Sequence, residues 1–292
     1  MTRQNWLLIL TLSLLWGGSF LFVEVALPGL PPLVIVWLRV TLAAGVLGMV
    51  LWVAKMPFPP RRTLGALLVM GLLNNAVPFS LFAVAQGQIT GALAAVLNAT
   101  TPLFTLVVAH VATRDDRMTL NKVFGLLLGV AGVIVMMSGA TLQGDTTAKA
   151  MCLVAALSYA CAAVWGRRFR QSGLAPLTTA FGQVAGSSVL MLPVMIWLHP
   201  IVHWPGTNVA GAIVGISVLS TALAYLIYFR LLEKVGATKL SIVTFLIPVS
   251  AAVLGAVILG ERLEPQHWAG FTLIALGLLA IDGRVVAWRS AA

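Results

Sequence analysis

The segment GALAAVLNATTPLFTLVVAHVATRDDR at residues 91–117 returns in altered form at residues 236–262, as GATKLSIVTFLIPVSAAVLGAVILGER. Both copies begin with Gly-Ala, continue through about twenty mostly apolar residues that include one proline, and end with an acidic residue followed by arginine. A helix needs about 20 apolar residues to cross the hydrocarbon core of a bilayer. The two copies therefore predict two membrane-spanning helices that derive from one repeated unit.

The composition of the whole chain supports a membrane protein. Of its 292 residues, 60% are hydrophobic and 9% are charged. Soluble domains carry about 25% charged residues, because their surface must meet water. Most of this surface must therefore face lipid. The net charge of +10 is interpreted as membrane topology, and nucleic-acid binding is not expected.

Ten segments are long and apolar enough to span a membrane. They lie at residues 6–27, 32–54, 63–84, 90–112, 120–138, 147–167, 176–198, 208–230, 237–259 and 267–288. Backbone amides in hydrocarbon must form their hydrogen bonds within their own segment or a closed barrel. The sequence therefore predicts an all-α integral membrane protein with ten transmembrane helices.

The similarity between the two halves extends along the chain at an offset of 145 residues. Under this shift Pro31 falls on Pro176, Gly125 on Gly270 and Gly132 on Gly277. The offset predicts two five-helix repeats, at residues 1–145 and 146–292. Five is an odd number, so the second repeat must be inserted in the opposite orientation. Inverted-topology repeats around a central site are typical of secondary transporters that work by alternating access.

The basic residues indicate the orientation in the membrane. With the N-terminus in the cytoplasm, fifteen Lys and Arg residues fall in cytoplasmic segments, whereas Lys149 and Arg262 fall on the opposite side. Cytoplasmic loops are enriched in Lys and Arg. Both termini are therefore predicted to be cytoplasmic.

Several segments resemble a known family. They are LLWGGSF at 14–20, PPLVIVWLRVTLAA at 31–44, the segment at 91–111, and the long stretch from Lys234 to Leu278. The chain resembles the drug/metabolite transporter superfamily in its ten-helix EamA-type branch, although RDDRM at 114–118 replaces the usual Gly-Glu-Arg-Leu.

The resemblance implies a bacterial inner membrane protein that exports amino acids or related metabolites. Helices 1, 3, 4, 6, 8 and 9 would surround a central cavity, with helices 2, 5, 7 and 10 outside them.

Polar side chains at the depth of the bilayer centre are costly unless they pair or line a wet cavity. Together with mid-span aromatic residues, they are the candidates for binding substrate. The predicted substrate-binding residues are Trp16, Ser19, Asn74, Asn75, Phe79, Asn98, Thr101, Tyr159, Trp165, Ser220, Thr221, Tyr225, Ser241 and Thr244. For each Ser and Thr, a role in helix packing is the alternative.

Three mid-span prolines and two charged residues complete the candidate site. Pro78, Pro102 and Pro248 each remove a backbone donor, so they are predicted to act as kinks and hinges. The alternatives are that the carbonyls they leave free bind an ammonium group, or that the prolines serve only helix packing. Glu24 lies near the outer end of the first span, and Arg39 lies roughly 10 Å into the second. These two residues form a candidate gate ion pair; a structural pair or a snorkelling arginine is the alternative.

These features predict a transporter of small neutral or zwitterionic metabolites, most of all amino acids, including aromatic ones. No carboxylate lies at the predicted midplane, which argues against proton exchange through a membrane-centred glutamate. A broad-specificity drug exporter is the alternative. A membrane-embedded enzyme is a remote one, because no GxSxG, HExxH or paired intramembrane aspartates occur. No cofactor or metal is expected, and the expected partners are a small-molecule substrate and the lipid bilayer, with the protein as a monomer.

Overall fold

The computed structural model describes residues 2–112, 120–136, 145–200, 206–240, 242–258 and 265–281, and these residues contain helices and no strand. The first half contains α1 (Arg3–Ala26), α2 (Pro32–Val53), α3 (Leu64–Gly71), α4 (Val77–Ala85), α5 (Gly91–Asn98), α6 (Thr101–Ala112) and α7 (Leu120–Met136). The second half contains α8 (Thr146–Gln171), α9 (Pro176–Leu198), α10 (Gly206–Val214), α11 (Ala224–Leu240), α12 (Ile242–Ile258) and α13 (Pro265–Ile281).

Six helical rods among the described residues are long and apolar enough to cross a membrane. They are Arg3–Ala26, Pro32–Val53, Arg61–Ala85, Thr146–Phe169, Pro176–Leu198 and Gly206–Leu231. Shorter apolar helices cover Val123–Gly132 and Val243–Ile258. The all-helical fold is thus as predicted, while ten spans remain a prediction.

Several helices start at side chains that satisfy the free backbone N–H groups of the first turn. Thr2 accepts a hydrogen bond from the Asn5 amide (3.3 Å) before α1, and Thr90 accepts one from the Leu93 amide (3.2 Å) before α5. Asp145 precedes α8 and accepts from the Ala148 amide at 3.0 Å, which lowers the pKa of its carboxyl below the usual value.

The distribution of polarity is the reverse of that in a soluble protein. Large apolar side chains lie on the outer surface, such as Trp197, which is 79% exposed, while Asn75 and Gln183 are fully buried. Exposed apolar surface of this extent requires another apolar phase around it. The bundle is therefore built to be surrounded by lipid.

Two helix boundaries differ from the sequence prediction. The predicted loop at 231–236 is helical, because α11 continues through Gly236 to Leu240. A single glycine destabilises a helix by only about 1 kcal/mol, so Gly236 does not end α11. The predicted span at 90–112 is interrupted at Ala99–Thr100, between α5 and α6.

The helices α7 and α13, which correspond under the 145-residue offset, pack closely against each other. An added Cβ at Gly132 would lie 2.8 Å from the Gly270 carbonyl oxygen, and one at Gly277 would lie 2.6 Å from that of Gly125. These are the glycines that the offset relates to each other. Gly125 lies opposite Gly277 and Gly132 opposite Gly270, so the two helices run antiparallel.

The helices α2 and α9 also correspond under the offset and pack in the same manner. The hydroxyls of Thr41 and Ser188 are 2.7 Å apart, and an added Cβ at Gly48 would meet the Phe181 ring at 3.0 Å. Gly48, the later of the two residues on α2, therefore contacts Phe181, the earlier of the two residues on α9. This pair is antiparallel as well.

We expect Gly132→Ala to lower the free energy of unfolding by about 1–3 kcal/mol, because the added methyl group overpacks the α7–α13 contact. Gly45→Ala on α2 is the matched control, since nothing lies within 4 Å of its added Cβ. This control should gain up to about 1 kcal/mol from helix propensity. Chemical unfolding in detergent micelles measures both values, and equal changes would contradict the reported packing.

Candidate functional site

Two π-helical segments interrupt the bundle at corresponding positions of the two halves. Leu72–Ala76 joins α3 to α4, and Gly215–Leu223 joins α10 to α11. The 145-residue offset moves residues 72–76 onto 217–221, inside the second segment. Short π-helical turns frequently mark functional sites. The first segment contains Asn74 and Asn75, and the second contains Ser220 and Thr221.

Hydroxyl groups from neighbouring helices satisfy backbone carbonyls around the first π segment. The Ser158 hydroxyl donates to the Leu73 carbonyl (2.7 Å), and the Ser187 hydroxyl donates to the Gly71 carbonyl (2.9 Å). Irregular backbone at membrane depth is tolerated where such partners are present. Pro78, which follows directly, supplies no backbone donor, and so adds to the irregularity of this rod.

A cluster of three side-chain amides and one phenol joins the first π segment to α9 and α11. The Asn75 side-chain amide donates to the Tyr225 hydroxyl at 2.8 Å, and the Asn74 amide reaches the same hydroxyl at 3.2 Å. The Asn74 amide also donates to Oε1 of Gln183 at 3.1 Å. We call these four residues the amide cluster.

Within the described part of the chain, three buried polar atoms have no hydrogen-bond partner: Oδ1 of Asn75, Nε2 of Gln183 and, on the second π segment, the hydroxyl of Ser220. All three side chains are at most 1% exposed. A buried polar atom without a partner costs free energy, so native proteins keep few of them. An acceptor and two potential donors are thus available to a bound polar molecule.

Arg39 lies one helical turn away from the amide cluster. Its Nε donates to the Thr221 hydroxyl at 2.9 Å, and its guanidinium carbon lies 3.5 Å from the centre of the Phe79 ring. Glu24 instead accepts a hydrogen bond from the Gly91 amide at 3.3 Å. The two residues of the predicted gate pair therefore have hydrogen-bond partners on different helices.

Three aromatic candidates, Trp16, Tyr159 and Tyr225, belong to two groups of rings. Phe82 contacts Phe20 in an edge-to-face manner (5.6 Å between centroids) and stacks near Tyr159 (6.2 Å). Trp16 packs against Tyr228 at 5.5 Å. The second group continues from Tyr228 through Phe229 (5.1 Å) to Tyr225 of the amide cluster (6.2 Å).

The break between α5 and α6 is stabilised by threonine hydroxyls. Thr100 donates to the Leu97 carbonyl (2.6 Å), and Thr101 donates to the Asn98 carbonyl (2.7 Å). The Asn98 carbonyl is four residues before Pro102, which lacks the N–H that would normally bond to it. Thr101 therefore has a structural partner here.

The remaining predicted residues lie away from the amide cluster or outside the described residues. Trp165 donates its ring N–H to the Ala66 carbonyl (3.0 Å) and is covered by the Arg168 guanidinium. Ser19 is buried on α1; Thr244 and Pro248 lie on α12. Ser241 is outside the described residues.

A cleft with a volume of about 680 Å³ lies between the segment before α3 and the segment before α9. Its walls include Pro57, Phe58, Arg62 and Thr178. Among the described residues, no three His, Cys, Asp or Glu side chains come together as a metal site.

Sequence reasoning missed Gln183 and the ring of Tyr228. Gln183 has the same signal as Asn74, an amide in the middle of an apolar span, but the family resemblance places its helix outside the cavity. In the structure, the side chains of Gln183 on α9 and Arg39 on α2 are both buried. Tyr228 follows Tyr225 by three residues, so both lie on one side of α11.

The chain is similar to known transporters over almost its whole length. The sequence model of the EamA-like transporter family matches residues 5–138 and 146–281. The uncharacterized inner membrane transporter YedA of Escherichia coli (strain K12) is 26% identical over 275 residues, which cover 94% of this chain and 89% of YedA. A probable amino-acid metabolite efflux pump of Salmonella typhimurium is 26% identical over 294 residues, 95% of this chain and 94% of the pump.

One crystal structure of a protein covers the whole of both chains with a TM-score of 0.78 and 19% identity. At that identity the likeness shows the fold alone.

We expect Tyr225→Phe to lower the free energy of unfolding by about 1–3 kcal/mol, because the buried amide of Asn75 and the half-buried amide of Asn74 lose the oxygen to which they donate. Tyr228→Phe is the control: it keeps the ring, and no hydrogen bond engages its hydroxyl among the described residues. Chemical unfolding in micelles should separate the two variants. A Tyr225→Phe protein as stable as Tyr228→Phe would contradict the amide cluster.

Proposed function

The chain belongs to the EamA-like transporter family, and we propose that it exports small neutral or zwitterionic metabolites, amino acids above all, by alternating access. The observation that carries this proposal is the amide cluster with its unpaired atoms. Polar groups buried without partners inside a membrane protein are expected at a substrate pathway. Neutral amides and hydroxyls suit a solute without a large net charge.

The packing of corresponding helices supports alternating access. The pairs α7–α13 and α2–α9 each join a helix to its counterpart in the other half, and each pair is antiparallel. Antiparallel counterparts are what two inverted five-helix repeats, at residues 1–145 and 146–292, require. Two such halves can exchange conformations and open one central site to either side of the membrane. We infer ten spans on this basis.

The names of similar proteins support the substrate class and the direction. The Salmonella typhimurium relative is described as a probable amino-acid metabolite efflux pump, and an Escherichia coli relative, 24% identical over 305 residues, carries the same description. Transfer of that activity to this chain is our proposal. We infer a bacterial inner membrane location from the similarity to inner membrane transporters. The excess of basic residues near the proposed cytoplasmic ends supports cytoplasmic termini.

A broad-specificity exporter of drugs is the second candidate. The two groups of aromatic rings favour it, because stacked aromatic faces bind flat apolar compounds with little demand for hydrogen bonds. An amino-acid exporter uses the amide cluster, whereas a drug exporter would depend on the rings alone. A transport assay with both kinds of compound separates the two.

Counterflow in proteoliposomes tests the proposed function. We expect saturable exchange of amino acids and little exchange of cationic dyes. Asn74→Ala should reduce amino-acid exchange about tenfold or more, as expected when a site loses a hydrogen bond to a polar substrate group and leaves its partners unpaired. Trp16→Ala should also reduce exchange, whereas Trp197→Ala at the outer surface should not. Exchange of dyes alone would support the second candidate instead.

Reporter fusions test the inverted arrangement. With ten spans and a cytoplasmic N-terminus, a reporter inserted near residue 115 lies in the cytoplasm, and one near residue 261 lies on the opposite side. We expect an alkaline phosphatase fusion to be active only near 261 and a fluorescent protein fusion only near 115. Activity of one reporter at both positions would exclude two oppositely oriented repeats.

A further inference from the structure

Arg39 is a buried cation with most of its hydrogen-bonding capacity unused. Its side chain is 6% exposed, and it lies roughly 10 Å from the start of α2. A guanidinium has five N–H donors. The bond from Nε to Thr221 uses one of them. Among the described residues, no hydrogen bond engages the N–H groups of the two Nη atoms.

No acidic side chain among the described residues balances this charge by contact. The nearby ionisable groups that interact with it are the phenols of Tyr159 and Tyr225. Phe79 offers the face of its ring, which attracts a cation without neutralising it. Charges within a membrane protein are costly unless they are paired, and they mark substrate pathways. The counter-charge is therefore missing from this part of the protein.

The contacts of Arg39 also fix its orientation. Phe79 covers one face of the guanidinium plane, and Thr221 holds its Nε edge. The edge that carries both Nη atoms is left to meet another group. Two parallel N–H groups in one plane match the two oxygens of a carboxylate.

We propose that Arg39 binds the carboxylate of the transported substrate end-on, through its two Nη atoms. This assignment rests on the proposed function and names the substrate group that the site recognises. The bound carboxylate would supply the counter-charge that the protein does not, and a single carboxylate is enough to balance one guanidinium.

The amide cluster is in the right place for the other end of a zwitterion. Phe79 follows Asn75 by four residues on one helical rod, and Thr221 precedes Tyr225 by four on the other. Both contacts of Arg39 therefore lie about one turn, roughly 5 Å, along their rods from a residue of the amide cluster. Oδ1 of Asn75 is a buried acceptor that no donor among the described residues engages, and an ammonium group is a donor. An α-amino acid presents both groups on one carbon atom. The substrate class that follows is a free amino acid, with its amide or ester derivatives excluded.

A set of matched compounds tests this assignment. The set has three series, based on phenylalanine, leucine and serine. Each series contains the amino acid, its amide, the amine that lacks the carboxylate and the carboxylic acid that lacks the amine. Ligand-dependent thermal stabilisation of the purified full chain measures binding, and counterflow in proteoliposomes measures transport. The proteins are the wild type, Arg39→Gln, Arg39→Lys and the control Thr41→Val, which lies two residues away on α2 and bonds to Ser188.

The wild type and Thr41→Val should bind the carboxylate-bearing members of at least one series about tenfold or more tightly than the amide and the amine, as expected for hydrogen bonds between charged groups. Arg39→Gln should lose this preference. Arg39→Lys keeps the buried charge but lacks the two parallel donors. This variant should therefore keep only part of the preference for carboxylates. If Arg39→Gln does not fold, the comparison of Arg39→Lys with the wild type decides.

Three results would overturn the assignment: equal binding of acids and amides by the wild type, an undiminished preference in the Arg39 variants, or no binding of any compound in the set. Failure of the proposed function looks different. Carboxylates would then bind in a manner that depends on Arg39, without exchange across the membrane. That result would keep the role of Arg39 and contradict transport.

Discussion

The structure depends on one constraint: hydrocarbon offers no hydrogen bond to a backbone or side-chain polar group. Regular helices meet this constraint by themselves, whereas the π segments and the break before Thr101 do not. The first π segment and the break are accompanied by hydroxyl donors, from Ser158 and Ser187 in the first case and from Thr100 and Thr101 in the second. The first π segment is thus held by side chains of other helices, whereas the break is held by its own threonines.

The same constraint explains why hydropathy predicted the fold well. An apolar run of about twenty residues has few alternatives to a helix, so the first, second and seventh spans end within three residues of their predicted limits. The error at residues 231–236 has a different cause. A charged pair and one glycine predict a loop there, but Glu233 and Lys234 belong to residue types that favour helices, and the helix continues to Leu240.

The polar residues of the site were predicted only in part. Depth along a helix follows from counting residues, and it placed Asn74, Asn75 and Tyr225 near the bilayer centre. The direction of a side chain around the helix axis depends on packing and on π turns, which shift all following residues. Depth in the membrane therefore predicts Glu24 as the partner of Arg39. In the structure, the side chain of Arg39 points towards Thr221 and Phe79 instead. Gln183 was missed because the resemblance assigned its whole helix to the outside.

The glycines between α7 and α13 have a consequence for how the two halves can change over time. Gly132 makes room for the backbone at Gly270, and Gly277 makes room for the backbone at Gly125. Each copy of the repeat therefore restricts the other at the positions where they are still alike. The two copies of a duplicated segment can usually change in sequence independently. Here they cannot do so at these contacts, because a larger residue in one helix would require the backbone of the other helix to move away.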